Sequence, residues 1–332
     1  MTSKDWSIGD TSGLVSIGTH SLHLRAVGPA RSPGTPAVIL ISGLGDASVS
    51  WSAVIRHISS FARVYAYDRT GLGNSELPED FTSDAKTFAN MASELRLLLE
   101  KARVQLPFIL VMHSMGGIPG REFLHLYPDT VAGMVLVDTV TETNYKTRPV
   151  ELPRIMRGMW MGLDMSFLWK GEHKPGMTDE ELQQALEYEG LVDSFVPQDI
   201  ADRQDRAAMA EFQNLVPSSD ALAEKNQFEN TPLNDKPLSV IKGDSPGEWR
   251  KCFELAKEAG RGSEEDRKLV GDYLATADAV QLGLQFKQLR LSRNSRMVEA
   301  RHSWHNVHWY QPNLIAREVK WCLDEFYKLQ GH

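Results

Sequence analysis

Short apolar runs alternate along the chain with longer amphipathic stretches. Residues 37–41, 108–112 and 134–137 are unbroken apolar runs, which are typical of strands buried on both faces. Residues 84–104 place apolar side chains at spacings of three and four, which predicts an amphipathic helix. Strands that alternate with helices predict an α/β fold, with a mostly parallel central sheet flanked by helices.

Weaker patterns extend this architecture towards both ends of the chain. Residues 14–27 favour two short antiparallel strands, and residues 312–329 favour a closing helix with a proline at its start. Three further apolar runs predict strands at residues 64–67, 238–241 and 297–300.

Residues 142–235 break the alternation. The segment is rich in Met, Trp, Phe and charged residues, contains no convincing strand pattern, and favours several helices. We therefore predict a core made of residues 1–141 and 236–332, with residues 142–235 inserted as a helical lid. An insertion there would cover the carboxyl ends of the strands, where open α/β sheets bind ligands.

Composition narrows the classes of partner. The 332 residues carry a net charge of −8, which argues against nucleic acid or an anionic membrane as the main partner and favours a small-molecule substrate. Cys252 and Cys322 form no disulfide framework. We find neither a signal peptide nor an apolar run of membrane-spanning length, so we expect a cytoplasmic protein without a membrane span. Nothing in the sequence indicates its oligomeric state.

The most informative motif is Met112-His113-Ser114-Met115-Gly116-Gly117, which follows a predicted strand and precedes a predicted helix. A sharp turn in this setting exposes Ser114 as a nucleophile, and the small residues after it let the turn close. The N–H of Met115 would then stand at a helix N-terminus, ready to donate to an oxyanion. Met112 occupies a position at which such a turn usually has glycine.

With these residues the chain resembles the α/β-hydrolase family across nearly its whole length. Residues 42–45 resemble the family's oxyanion loop, with Ser42 where histidine is usual, and residues 68–75 resemble its Asp-Arg-x-Gly-x-Gly-x-Ser turn. Residues 303–305 resemble its late Ser-Gly-His segment, with Trp304 in the glycine position. The resemblance implies a nucleophile, an acid and a histidine in that chain order, with Leu44 as the second oxyanion donor.

The base and the acid differ in how far the sequence defines them. His302, His305 and His308 all fall in one predicted loop, and His305 occupies the motif position, so we assign it as the base. Asp138 ends the strand at 134–137, and Asp244 follows the strand at 238–241. Family members place the acid after either strand, so both carboxylates stay open, with Asp138 preferred.

The resulting prediction is a serine hydrolase that cleaves a medium-sized, largely apolar ester, lactone or thioester, with no cofactor and no metal. The substitutions at Met112, Ser42 and Trp304 favour the alternatives: a non-hydrolytic enzyme of the same fold, or a ligand-binding protein. A dinucleotide-binding loop at Gly43 and Gly45 is disfavoured because the third glycine is missing. A cluster within the insertion could line an adaptable pocket or pack within the lid itself: Met156, Met159, Trp160, Met161, Met165, Phe167, Leu168 and Trp169.

Overall fold

A computed structural model describes residues 4–192, 194 and 196–331 of the chain. Within them one sheet is formed by the strands β1 (Thr11–Ser16), β2 (Ser21–Val27), β3 (Ala37–Ile41), β4 (Val64–Tyr67), β5 (Phe108–His113), β6 (Val131–Val137), β7 (Leu238–Lys242) and β8 (Ser295–Glu299). The spatial order is β1-β2-β4-β3-β5-β6-β7-β8. β1 pairs antiparallel with β2, and β2 antiparallel with β4, while every later pairing is parallel. The predicted fold class is confirmed.

The described helices are α1 (Ser52–Ile58), α2 (Phe88–Lys101), α3 (Gly117–Leu126), α4 (Leu152–Trp160), α5 (Phe167–Lys170), α6 (Asp179–Tyr188), α7 (Gln198–Ala223), α8 (Gln227–Asn230), α9 (Ser245–Glu258), α10 (Glu264–Leu274), α11 (Ala277–Gln288), α12 (Val307–Tyr310) and α13 (Pro312–Leu329). No helix among these residues is both long enough and apolar enough to cross a bilayer.

The sheet is covered on both faces, because every residue of β3 to β6 is buried. On one face α2 and α3 contribute Leu95, Leu99 and Phe123 to a core shared with the strands. On the other face α1 and α13 contribute Val54 and Ile315. Burying an apolar side chain of this size stabilises a fold by roughly 1.5–3 kcal/mol, so unbroken apolar strands require helices on both sides.

Two chain segments cover the carboxyl ends of the strands. The β6–β7 segment (residues 138–237) contains α4 to α8 and no strand among its described residues, which confirms its predicted helical character. The β7–β8 segment (residues 243–294) adds α9 to α11, which the sequence analysis did not predict. Leu152 and Met159 of α4 pack against Phe253 of α9 and Val270 of α10. The covering layer is therefore built from both segments.

Candidate active site

The turn after β5 holds Ser114 in a left-handed conformation with φ +52°, which is unusual for a residue with a side chain. Two glycines make this turn sterically possible. A Cβ built on Gly116 would lie 2.6 Å from the carbonyl oxygen of Ser42, and one on Gly117 would lie 2.7 Å from Thr139 Cβ. The turn is therefore pressed between the loops that follow β3 and β6.

Met112 is accommodated by a glycine that lies one helical turn beyond the nucleophile turn. The Met112 side chain is fully buried in the core under α3. A Cβ built on Gly120 would overlap Met112 Sδ and lie 2.9 Å from Met112 Cγ. The Met112 side chain thus occupies the space that a side chain at position 120 would fill.

The other two departures from the family pattern are also accommodated by packing. The indole Nε1 of Trp51 donates to Ser42 Oγ over 3.0 Å, which anchors the serine that replaces the usual histidine. Trp304 is buried, with its ring 4.3 Å from that of His173 and 6.1 Å from that of Phe167. It therefore joins the loop after β8 to the helical layer above the sheet.

His305 lies in the loop after β8, with Nε2 2.8 Å from Ser114 Oγ. Both of its main-chain polar groups are held. Its N–H donates to Glu248 Oε2 over 2.9 Å, and its carbonyl oxygen lies 3.1 Å from Nε2 of His113. Because a carbonyl can only accept, His113 must carry its proton on Nε2. His305 is thereby held through its ring, its main-chain N–H and its carbonyl oxygen.

Asp138, directly after β6, faces the other side of that imidazole and is itself left-handed, with φ +45°. Its Oδ2 lies 2.8 Å from His305 Nδ1 and accepts from Ser245 Oγ over 2.5 Å. Its Oδ1 accepts from the N–H of Gly243 over 3.0 Å. Ser245 Oγ also lies 3.0 Å from His305 Nδ1. The Asp138 carboxylate thus accepts from three donors: His305, Ser245 and Gly243.

Asp244, the other candidate acid, has a different position. Its Oδ1 accepts from the N–H of Gly247 over 3.0 Å, so it caps the N-terminus of α9. The structure thus brings Ser114, His305 and Asp138 into one hydrogen-bonded series and leaves Asp244 outside it.

Electrostatics favour a charged acid and a basic imidazole. Burial alone would raise the pKa of Asp138, but hydrogen bonds from His305, Ser245 and Gly243 outweigh it and hold the pKa below its ordinary value. Burial alone would lower the pKa of His305, but the hydrogen bond to Asp138 and its negative charge raise that pKa, with a further contribution from Glu248. These shifts make His305 a better proton acceptor.

The two predicted oxyanion donors flank Ser114. Met115 follows it in the turn, with its N–H at the start of a helical stretch. On the other side a Cβ on Gly43 would lie 3.2 Å from Ser114 Cβ, so the loop that carries Leu44 runs against the nucleophile. This arrangement is compatible with the predicted role of both N–H groups, which stays a prediction.

A buried ion pair supports the loop that carries Leu44. The guanidinium of Arg69 donates to the carbonyls of Ser42 and Gly43 over 2.8 and 2.5 Å. Glu211 of α7 accepts from Arg69 Nε over 2.7 Å and from the N–H of Gly45 over 2.9 Å. Charge-assisted bonds of this kind are strong where water is excluded, so the β6–β7 segment directly braces this loop.

Three residues that contact the series were missed by sequence reasoning. His113 was visible in the nucleophile motif, but no role was assigned to it. Ser245 and Glu248 belong to α9, a helix that the sequence analysis did not predict. Their only signal was their place just after Asp244, which became informative once the loop after β7 was known to adjoin Asp138.

A cavity of about 850 Å³ lies over this end of the sheet, and we call it the α4 cavity. It is bordered by α4, the turn at residues 161–165, residues 189–191 and Trp249. Of the apolar cluster predicted in the insertion, Met156, Trp160, Met161 and Met165 line it. The remainder, Met159, Phe167, Leu168 and Trp169, belong to the packed clusters of the helical layer.

A second buried cluster lies behind the nucleophile. Asp46, His113 and His308 bring ligand-type atoms within 4.8 Å of one another, and these residue types can bind metal ions. Burial raises the pKa of Asp46 to about 6 and lowers that of His308 to about 3. Burial therefore favours the neutral form of both groups, and the expected absence of a metal stays a prediction.

Comparisons with known proteins agree with this architecture. The alpha/beta hydrolase family matches residues 38–318, and the chain belongs to that family. It is 32% identical over 307 residues to an AB hydrolase superfamily protein of Gibberella zeae, with 90% of each chain covered. It is 31% identical over 317 residues to "Probable transporter efuK" of Hormonema carpetanum, a match that covers 95% of this chain and 43% of that protein. The chain thus spans less than half the length of that relative.

Among solved structures, the fold is similar to that of the 2-hydroxy-6-oxo-6-phenylhexa-2,4-dienoate hydrolase of Rhodococcus sp. strain RHA1. The TM-score is 0.61 at 15% sequence identity, with 95% of this chain and 99% of that chain covered. At this identity the likeness concerns the fold alone. The predicted family membership is confirmed by these findings.

Proposed function

We propose that the chain is a serine hydrolase that cleaves a carboxylic ester, lactone or thioester with a largely apolar organic part. The observation that carries this proposal is the series Ser114 Oγ, His305 Nε2, His305 Nδ1 and Asp138 Oδ2, whose two contacts each measure 2.8 Å. Nucleophile, base and orienting carboxylate within hydrogen-bond reach are the arrangement that activates a serine.

In the proposed reaction His305 removes the proton of Ser114 as its Oγ attacks the carbonyl carbon. The N–H groups of Met115 and Leu44 hold the developing oxyanion, and each such donor typically lowers the barrier by about 3 kcal/mol. His305 then donates the proton to the leaving alcohol or thiol. Water, deprotonated by the same imidazole, cleaves the acyl-enzyme and restores Ser114.

The substrate would enter beneath a lid formed by the β6–β7 segment. Contacts between that segment and the loop of Leu44 support this role, since Glu211 holds the N–H of Gly45 and the Tyr188 hydroxyl donates to its carbonyl over 3.1 Å. Movement of α6 or α7 would therefore alter the oxyanion loop. The division into a core at residues 1–141 and 236–332 and a lid at 142–235 forms part of the proposal.

The non-hydrolytic and ligand-binding alternatives rested on Met112, Ser42 and Trp304. Each of these substitutions has a packing explanation, through Gly120, Trp51 and His173 respectively. None of them therefore requires a different chemistry.

The test is covalent labelling by a fluorophosphonate probe together with turnover of p-nitrophenyl esters. We expect the wild-type protein to be labelled and to hydrolyse the esters, and Ser114→Ala to lose both activities. Ser60→Ala, which changes an exposed serine just beyond α1, serves as the matched control and should retain both. Folded wild-type protein that is neither labelled nor active would refute the proposal.

A further inference from the structure

Arg148 has an unusual environment for a cation. It is half-buried between the α4 cavity and an adjoining groove of about 580 Å³, and it lines both. Its Nε is fully buried without an acceptor, and none of the described residues forms a hydrogen bond or ion pair with its guanidinium. Burial lowers the pKa of Arg148, and the one opposing influence is the Tyr273 hydroxyl.

Other buried arginines of the described chain have partners, although one terminal nitrogen of Arg121 also lacks an acceptor. Arg69 pairs with Glu211, and Arg121 pairs with Glu142. Arg63 donates to backbone carbonyls at four positions: Trp6, Ile8, Gly9 and Gly28. Burying an N–H donor without an acceptor costs free energy, and this cost applies to Arg148 Nε. Arg148 differs from these arginines because none of the described residues is its partner, although the net charge of the chain is −8.

The α4 cavity around Arg148 suits a ligand that is apolar along its length and negative at one end. Its apolar lining includes Met156, Trp160 and Met165. A second arginine, Arg157, lines both the cavity and the groove and is exposed. Such a lining buries a hydrocarbon chain, while a guanidinium binds a carboxylate through two parallel hydrogen bonds.

Two acidic side chains also border the cavity, and neither forms an ion pair with Arg148. Asp164 is exposed and accepts from the N–H of Ser166 over 2.9 Å. Glu189 is exposed as well. Solvent therefore screens both carboxylates, whereas Arg148 is half-buried.

The cavity also adjoins the residues around Ser114. The charge of Glu189 contributes to the raised pKa of His305. Trp249, another lining residue, follows Glu248, whose carboxylate accepts the N–H of His305. For Arg148 to contact the same substrate, the part beyond the carbonyl at Ser114 must extend into the cavity that Glu189 and Trp249 border.

We propose that the substrate carries a carboxylate on the part that fills the α4 cavity, and that Arg148 binds this carboxylate. The inference rests on the proposed function, because it names the class of ester on which the Ser114 site acts. Arg148 is the residue that determines specificity for the anionic substrate.

The test compares p-nitrophenyl monoesters of α,ω-dicarboxylic acids with p-nitrophenyl esters of fatty acids of the same carbon number. At the best chain length we expect kcat/KM of the wild-type enzyme to favour the anionic ester by about tenfold or more. In Arg148→Gln this ratio should fall by about 10- to 100-fold, mainly through KM, and Arg148→Lys should restore part of it.

Arg154→Gln is the matched control, because Arg154 is exposed in the outer groove and does not line the α4 cavity. It should keep the wild-type ratio. An equal fall in both variants would indicate general attraction rather than a defined site and would overturn the inference. So would a wild-type preference for the neutral ester at every chain length.

Binding provides a readout that does not depend on turnover. Suberate should raise the Tm of the wild-type protein more than octanoate does, and this difference should disappear in Arg148→Gln. Fluorophosphonate labelling of the same variants separates the two proposals. Labelling without any preference for the anionic ester refutes the carboxylate site alone, whereas absence of labelling refutes the hydrolase.

Discussion

The turns at the carboxyl ends of the strands and the α4 cavity differ in how their polar groups are satisfied. At the strand ends Asp138 accepts three hydrogen bonds, and His305 is held through its ring and both main-chain groups. In the α4 cavity Arg148 has no acceptor among the described residues. The carboxylate and the imidazole at the strand ends are thus partnered within the protein, whereas the guanidinium of Arg148 is not.

This difference corresponds to two tasks, catalysis and substrate recognition. Groups that must act on any substrate are fixed by the protein itself, because misplacing them would reduce the rate whatever is bound. Groups that recognise one particular substrate find their hydrogen-bond partners only when that substrate binds. Backbone strain is also found at the strand ends, where Ser114 and Asp138 are the two left-handed residues of the site.

The largest expected effect comes from removing the carboxylate that orients His305. Asp138→Asn replaces one acceptor oxygen by an N–H donor, which favours the wrong imidazole tautomer, so kcat should fall by roughly 10⁴-fold. Asp244→Asn is the matched control, since asparagine also caps a helix, and its kcat should stay within about twofold of wild type. Steady-state kinetics of both variants give the answer. Equal losses would contradict the assignment of Asp138.

An intermediate effect is expected where the nucleophile turn departs from the family pattern. Gly120→Ala would push a methyl group into the Met112 side chain and should lower the free energy of unfolding by about 1–3 kcal/mol. In the background of Met112→Ala the same substitution should cost much less, because the overlapping sulfur atom is gone. Denaturant unfolding of both single variants and the double variant measures this coupling. Additive losses would show that the two positions are independent.

Sequence reasoning reached the site where local pattern determines geometry. The run at 37–41 coincides with β3 and that at 64–67 with β4, because unbroken apolar runs have one stable placement in a parallel sheet. The turn of Ser114 was readable because glycines and a serine occupy fixed offsets after a strand. That pattern depends on neighbours in sequence rather than on distant contacts.

What sequence reasoning missed depends on contacts between distant segments. The hydrogen bond from Ser245 to Asp138 joins residues 107 positions apart, and the unpartnered state of Arg148 is visible only when its surroundings are known. The choice between Asp138 and Asp244 was open for the same reason. Both carboxylates follow parallel strands, and their hydrogen bonds alone distinguish an acid that faces His305 from a helix cap.

The smallest expected effect concerns pH. The negative charge of Glu248 helps to raise the pKa of His305, and His305 must be neutral to accept the proton of Ser114. Activity should therefore be lost as pH falls through the pKa of His305. Glu248→Gln removes the charge but keeps an oxygen that can accept the His305 N–H. It should lower this pKa and move the acidic limb of kcat/KM to lower pH by a fraction of a unit, about 0.5.

The matched control for this shift is Glu254→Gln, which removes an exposed carboxylate from the same helix, where it pairs with Lys257. Its acidic limb should coincide with that of wild type, because solvent screens an exposed charge. A limb that moves to higher pH in Glu248→Gln would mean that Glu248 acts through the position of His305 rather than through its charge. In that case catalysis at the strand-end turns would depend on the position of a single carboxylate, as the proposed specificity of the α4 cavity does.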